Sequence, residues 1–80
     1  MYYVYILQSE TNAKKLYTGF TEDLNQRLKD HNSGKSAHTN EHKPWKLITH
    51  TVFSDKEKAL DFERYLKTGS GRAFLKKHLA

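Results

Sequence analysis

The run from Tyr2 to Gln8, Tyr-Tyr-Val-Tyr-Ile-Leu-Gln, limits the fold more than any other segment. It is rich in tyrosine, valine and isoleucine, side chains that suit an extended backbone. Its apolar residues fall on both faces of a strand instead of one. Such a strand belongs in the middle of a sheet, with both faces covered. The rest of the chain must supply its neighbours and its cover, and only 80 residues are available in all. A chain of that length makes one domain, residues 1–80, with a small core.

Leu16 to Phe20 reads as a second short strand, most simply a hairpin partner of the first across the polar turn Ser9 to Lys15. Thr21 then has the character of a helix N-cap, with Glu22 and Asp23 complementing the dipole of the first turn. This helix runs to about His31 and stops at Asn32-Ser33-Gly34, a glycine stop. Lys35 to Pro44 is polar and reads as a loop. Trp45 to Phe53 reads as a third strand. Ser54-Asp55-Lys56-Glu57 fits a capping box, serine at the cap and glutamate three residues on. The helix it opens runs to about Lys67 and ends at Gly69. Ser70 is a candidate cap for a last short helix carrying Phe74, Leu75 and Leu79. The order β-β-α-β-α-α predicts an α+β fold, a three-stranded antiparallel sheet flanked by helices.

Charge and composition narrow the class of function. Fourteen basic residues stand against nine acidic ones, a formal charge of +5. On so small a body this makes a positive field that attracts polyanions, nucleic acid first among them. No cysteine is present, which excludes a disulfide framework and a cysteine-based zinc site. No stretch approaches the roughly 18 consecutive apolar residues of a membrane span. The start, Met1-Tyr2-Tyr3-Val4, has neither the basic nor the apolar region of a signal peptide. The expectation is a cytoplasmic protein with no membrane partner.

Three charged or ionisable side chains sit where a core is expected. On a helical wheel with Arg27 at zero, His31 falls at about 40°, Leu24 at about 60° and Leu28 at about 100°. Arg27 and His31 therefore rim the apolar stripe of their helix. The structural alternative is an arginine lying along the core edge and a histidine bonded to a neighbouring carbonyl. With Ala59 at zero, Glu63 falls at about 40°, between Leu66 at about 340° and Leu60 at about 100°. A carboxylate inside an apolar arc must be paired, protonated or metal-bound, because burying it bare costs several kcal/mol. A structural ion pair, with Arg27 itself for example, is the alternative there. Tyr5 and Tyr17 fall on the two hairpin strands as sheet-face aromatics. Gly19 suits a place where backbone turns tightly or a ligand approaches. His38-Thr39-Asn40-Glu41-His42 matches an H-x-x-E-H zinc-peptidase pattern, but it lies in a polar loop before Pro44 and not on a helix. A solvated loop that meets a polyanion, through Lys35 and Lys43, is the better reading.

Taken in order, these pieces resemble the GIY-YIG nuclease domain. Tyr3-Val4-Tyr5 stands at the first motif and Tyr17-Thr18-Gly19 at the second, with Arg27, His31 and Glu63 following at the family's intervals. Tyr17-Thr18-Gly19-Phe20-Thr21, Arg27 to Asn32 and Lys43-Pro44-Trp45-Lys46-Leu47 are similar to the small stand-alone bacterial members. They are also similar to the nuclease domain of the Slx-type structure-selective endonuclease. The resemblance covers nearly the whole chain. Tyr3 replaces the glycine of the first motif and Thr18 the isoleucine of the second. The family often has an asparagine after the glutamate, and none occurs from Arg64 to Ala80.

What the resemblance implies is metal-assisted hydrolysis of a DNA phosphodiester, in DNA repair or recombination. Glu63 would hold one divalent cation, Mg2+ or Mn2+. A hard cation keeps several waters, so one carboxylate suffices. Arg27 would meet the charge gathering on the phosphoryl oxygens. Tyr17 would orient or deprotonate the attacking water, with Tyr5 and His31 in support; either Tyr17 or His31 could be the proton acceptor. A free tyrosine has a pKa of about 10, so as a base it needs a cationic neighbourhood. Gly19, Lys35 and Lys43 would touch substrate. A homodimer or a protein partner would add specificity to so small a contact surface. Two other readings stand beside this one. One is a non-catalytic nucleic-acid-binding module of the same fold. The other is a protein-interaction domain using Tyr3, Trp45 and Tyr65 as exposed aromatics.

Overall fold

A computed structural model describes residues 1–80. The elements are β1 (Tyr2–Ser9), β2 (Leu16–Thr21), α1 (Leu24–Ser33), a 3-10 turn at Asn40–His42, β3 (Trp45–Phe53), α2 (Lys56–Leu66) and α3 (Gly69–His78). The sheet order is β2-β1-β3, and both pairings are antiparallel. The two-faced strand is therefore the central one, and the architecture is the expected α+β arrangement.

The alternation of β1 divides the core in two. Val4 and Ile6 point to one face and pack with Ala59 and Leu66 of α2 and Leu75 of α3. Tyr5 and Leu7 point to the other face and pack with Trp45, Tyr17, Leu47 and the α1 residues Leu24 and Leu28. A β-bulge keeps both sets in register. Ile6 faces Thr49 but Leu7 faces Leu47, so Ile48 has no opposite residue. The extra residue lets Leu47 join the Tyr5 face and Ile48 the Val4 face.

All three helix starts differ from the expected ones. Thr21 still belongs to β2, paired with Tyr3, so the first residue free to cap α1 is Asp23. The Asp23 carboxylate accepts from the Gln26 amide, while the Thr21 hydroxyl accepts from the Asp23 amide. For α2 the cap is Asp55, not Ser54, and it accepts from the Glu57 amide. Gly69 does not end α2; it opens α3. Thr68, not Ser70, is the α3 cap, donating to the Tyr65 carbonyl and accepting from the Gly71 amide. That single hydroxyl joins the end of one helix to the start of the next. Gly71 is required at the joint, since a Cβ there would overlap the Tyr65 carbonyl. The glycine stop of α1 is as expected: Gly34 adopts the left-handed conformation at φ 85°, and its amide donates to the Asp30 carbonyl.

Candidate active site

Tyr5, Tyr17 and His31 meet on the α1 face of the sheet. The ring centroids of Tyr17 and His31 are 4.8 Å apart, and those of Tyr5 and His31 are 5.8 Å apart. Gly19 allows this. It lies within β2 directly opposite Tyr5, and a Cβ on it would occupy the space of the Tyr5 phenol. The glycine accommodates neither a tight turn nor an approaching ligand; it lets the phenol cross its neighbouring strand.

His31 is fully buried, not at the rim of the stripe. Its Nε2 lies 2.9 Å from the Tyr5 hydroxyl and its Nδ1 lies 2.7 Å from the Thr39 hydroxyl. Donor roles follow from chemistry. Arg27 lies beside the Tyr5 oxygen and has only donors to offer, so the Tyr5 O–H must donate to His31 Nε2. The imidazole then carries its proton on Nδ1 and donates it to Thr39 Oγ1. No lone pair of the ring is left free. Every fully buried side-chain polar atom in the molecule has a partner, as a low-dielectric interior requires.

The electrostatics agree with this assignment. Burial pushes the Tyr5 phenol up to about 12, against the opposing effect of Arg27. Burial also holds the His31 imidazole below its ordinary value, with the positive charge of Arg27 as the next cause. Arg27 is half-buried, which alone would lower its pKa; the oxygens of Tyr5 and Tyr17 outweigh that and raise it. All three groups are held in one state around neutrality: phenol protonated, imidazole neutral, guanidinium charged.

The loop expected to be solvated is what fixes His31. Thr39 is fully buried. Its carbonyl accepts from the Trp45 indole N–H at 2.7 Å. Trp45 is gripped in turn by the Asn32 side chain, which accepts from its amide and donates to its carbonyl. Ser9, also buried, donates to the His42 carbonyl at 2.6 Å. The sequence showed Thr39 only as the second residue of a zinc-like pattern. His38 is exposed, and His38, Glu41 and His42 form no metal-binding cluster. Among the remaining aromatics, Trp45 is buried, Tyr3 is half-buried and Tyr65 is exposed.

Glu63 reaches the region from the other side of the sheet. Its side chain on α2 is only 16% exposed and pairs with Lys67, one turn on, not with Arg27. Its negative charge is among those that raise the Tyr5 pKa. β2 is an edge strand, so groups on the two faces can approach one ligand around that edge. A groove of about 460 Å³ runs there, lined by Tyr17 and Thr18 of β2 and by Lys67 beyond α2. Lys35 and Lys43 lie at the far end of α1 instead. Lys35 is 3.8 Å from Asp30, and Lys43 sits beside Gly34.

Comparison with known proteins adds a family to this geometry. The family model described as the GIY-YIG catalytic domain matches residues 1–77. UPF0213 proteins of Streptococcus pyogenes serotypes M5 and M1 are each 42% identical over 72 residues, covering 89% of this chain and 76% of theirs. The solution NMR structure of a UPF0213 protein from Bacillus halodurans superposes with a TM-score of 0.57 at 33% identity, covering 96% of this chain and 84% of that one.

Proposed function

The chain belongs to the GIY-YIG family, and from that premise we propose that it is an endonuclease hydrolysing phosphodiester bonds of nucleic acid, most specifically DNA. The observation that carries the reading is the clustering of Tyr5, Tyr17, His31 and Arg27 at the open edge of the sheet, with Glu63 facing the same edge from α2. A phosphate placed against Tyr17 would meet a permanently charged guanidinium and a phenol oxygen together.

In this mechanism a water attacks phosphorus in line with the leaving oxygen. Tyr17 orients the water and takes its proton. Tyr17 is preferred to His31 as acceptor because it is half-exposed and lines the groove, whereas both nitrogens of buried His31 are engaged. The Tyr5–His31–Thr39 chain holds the neighbouring ring still and keeps its proton fixed, which preserves alignment. Arg27 neutralises the charge that gathers on the non-bridging oxygens as the phosphorus becomes five-coordinate.

The donor set also bears on a cofactor. One carboxylate stands alone at the site, with no further His, Asp or Glu to form a cage. That fits a hard cation such as Mg2+ or Mn2+, which takes few protein ligands and keeps waters. Glu63 would hold it, releasing Lys67, and the cation would supply Lewis-acid stabilisation of the leaving oxygen. A cytoplasmic setting and a role in DNA repair or recombination complete the proposal.

The test is a nicking assay on plasmid, branched and single-stranded DNA with Mg2+, wild type against Glu63→Gln. Removing the carboxylate charge should lower the rate by about 100-fold or more, the scale of losing one electrostatic stabiliser. Equal rates for the two proteins would sink the catalytic reading.

A further inference from the structure

The groove beside Tyr17 extends well past the clustered site residues. Its walls come from three separate segments. Lys14, Lys15, Leu16, Tyr17 and Thr18 belong to the hairpin, Leu66 and Lys67 to the end of α2, and Arg72, Leu75 and Lys76 to α3. Five of these ten residues are cationic and none is acidic. Lys67 is engaged by Glu63, but Lys14, Lys15, Arg72 and Lys76 are exposed and have no carboxylate partner. Four uncompensated cations around one groove repel each other, so the groove is an incomplete electrostatic arrangement until an anion enters it.

The fold holds this arrangement in place. The Thr68 hydroxyl and the Gly71 contact with the Tyr65 carbonyl fix the angle between α2 and α3. That angle sets Arg72 and Lys76, one turn apart on α3, across from Lys14 and Lys15. The floor is apolar, formed by Leu16, Leu66 and Leu75. By contrast, the loop carrying Lys35 and Lys43 has Asp30 and Glu41 near it, which offset part of its charge.

We propose that this groove is the seat of the nucleic-acid backbone leading away from the scissile phosphate, with Lys14, Lys15, Arg72 and Lys76 each meeting phosphate. The inference rests on the nuclease reading above and adds to it the direction in which substrate leaves the site. Phosphate contacts of this kind position a strand and read no sequence. The groove therefore supplies affinity and register, not base preference.

Binding of a labelled DNA duplex, measured by fluorescence anisotropy across a salt series in chelator, tests this. The proteins are wild type, Arg72→Gln/Lys76→Gln, Lys14→Gln/Lys15→Gln, and Lys56→Gln/Lys58→Gln as a control. The control removes the same charge from the exposed start of α2, at the other end of that helix. Each groove pair should weaken binding about tenfold at moderate salt. It should also flatten the log–log salt dependence by about 1.4–1.8, from roughly 0.7–0.9 per phosphate lost. The control should stay within about threefold of wild type. Wild-type binding and cleavage, with groove pairs no weaker than the control, would overturn the groove assignment alone. A wild type that neither binds nor cuts DNA would overturn the nuclease reading, and the groove's role with it.

Discussion

The two faces of this small sheet are built from the same strand by opposite chemistry. Toward α2 and α3, β1 offers Val4 and Ile6, and the buried partners are Ala59, Leu66 and Leu75. Toward α1 it offers Tyr5 and Leu7, and burial there includes His31, Thr39 and an indole N–H. An apolar face tolerates changes of shape as long as volume is kept. A polar face does not, because each hydrogen bond fixes a direction and each lost partner strands a buried group. The apolar side thus holds the molecule together, while the polar side holds four side chains in one geometry. Stability and site geometry are separated by the thickness of one sheet.

The sharpest way to break that comparison is to injure each side once. Tyr17→Phe removes a half-exposed hydroxyl at the groove and should lower kcat about 100- to 10,000-fold, the scale of a proton-transfer group. Its urea midpoint should barely move. Leu66→Ala empties volume in the apolar face, where Leu66 is only 1% exposed, and should cost about 2–5 kcal/mol of stability. Activity per folded molecule should nevertheless persist, measured at low temperature where the variant remains native. If Leu66→Ala lost activity in proportion to Tyr17→Phe while still folded, the two faces would not be independent.

The legibility of the sequence follows the same divide. The apolar face could be read directly: a two-sided strand, helices of regular period and turns with glycine are all local signals. Helix caps were misassigned because pairing carried β2 through Thr21 and α3 began at Gly69, so tertiary contact moved each boundary. Arg27, His31 and Glu63 stood out because charge interrupted an apolar stripe. The burial of His31 was not legible, since it depends on Thr39, a threonine in a polar loop with no periodicity around it. The Glu63–Lys67 pair could have been found from its i,i+4 spacing, but the apolar arc drew attention inward toward Arg27. The basic groove had no sequence signal at all, because its cations lie on three segments that only the fold brings together.

A smaller effect tests whether the loop is truly part of the polar face. Thr39→Val keeps the shape of the side chain and removes the acceptor of the His31 Nδ1–H. A buried donor without a partner costs about 1–3 kcal/mol, read as a shift of the denaturation midpoint. The loop should also open locally, so amide exchange from Ser36 to Lys43 should accelerate more than exchange in β1. A loss below about 0.5 kcal/mol with unchanged exchange would mean that His31 is held from the sheet and not from the loop.

The smallest expected effect is a dependence on pH that only the polar face can produce. His31 in the folded protein sits below its ordinary value of 6.5 because burial and then Arg27 disfavour its cation, with Asp30 opposing them. The unfolded chain therefore takes up this proton first. Stability from the neutral imidazole is fully present above about pH 6.5 and is lost as pH falls through the folded value. Tyr5 behaves in the mirror sense. Its phenol, raised from 10.0 to about 12 chiefly by burial, contributes stability that is intact below pH 10 and fades between 10 and 12. Urea midpoints should therefore decline on both sides of a plateau. His31→Gln should lessen the decline on the acid side, and Tyr5→Phe should lessen it on the alkaline side, whatever either variant does to the plateau itself. Leu66→Ala should lower the plateau and leave both slopes unchanged, because nothing it touches titrates. If the slopes of His31→Gln matched those of wild type, the imidazole would not be a buried neutral group, and the assignment of its two hydrogen bonds would have to be reversed.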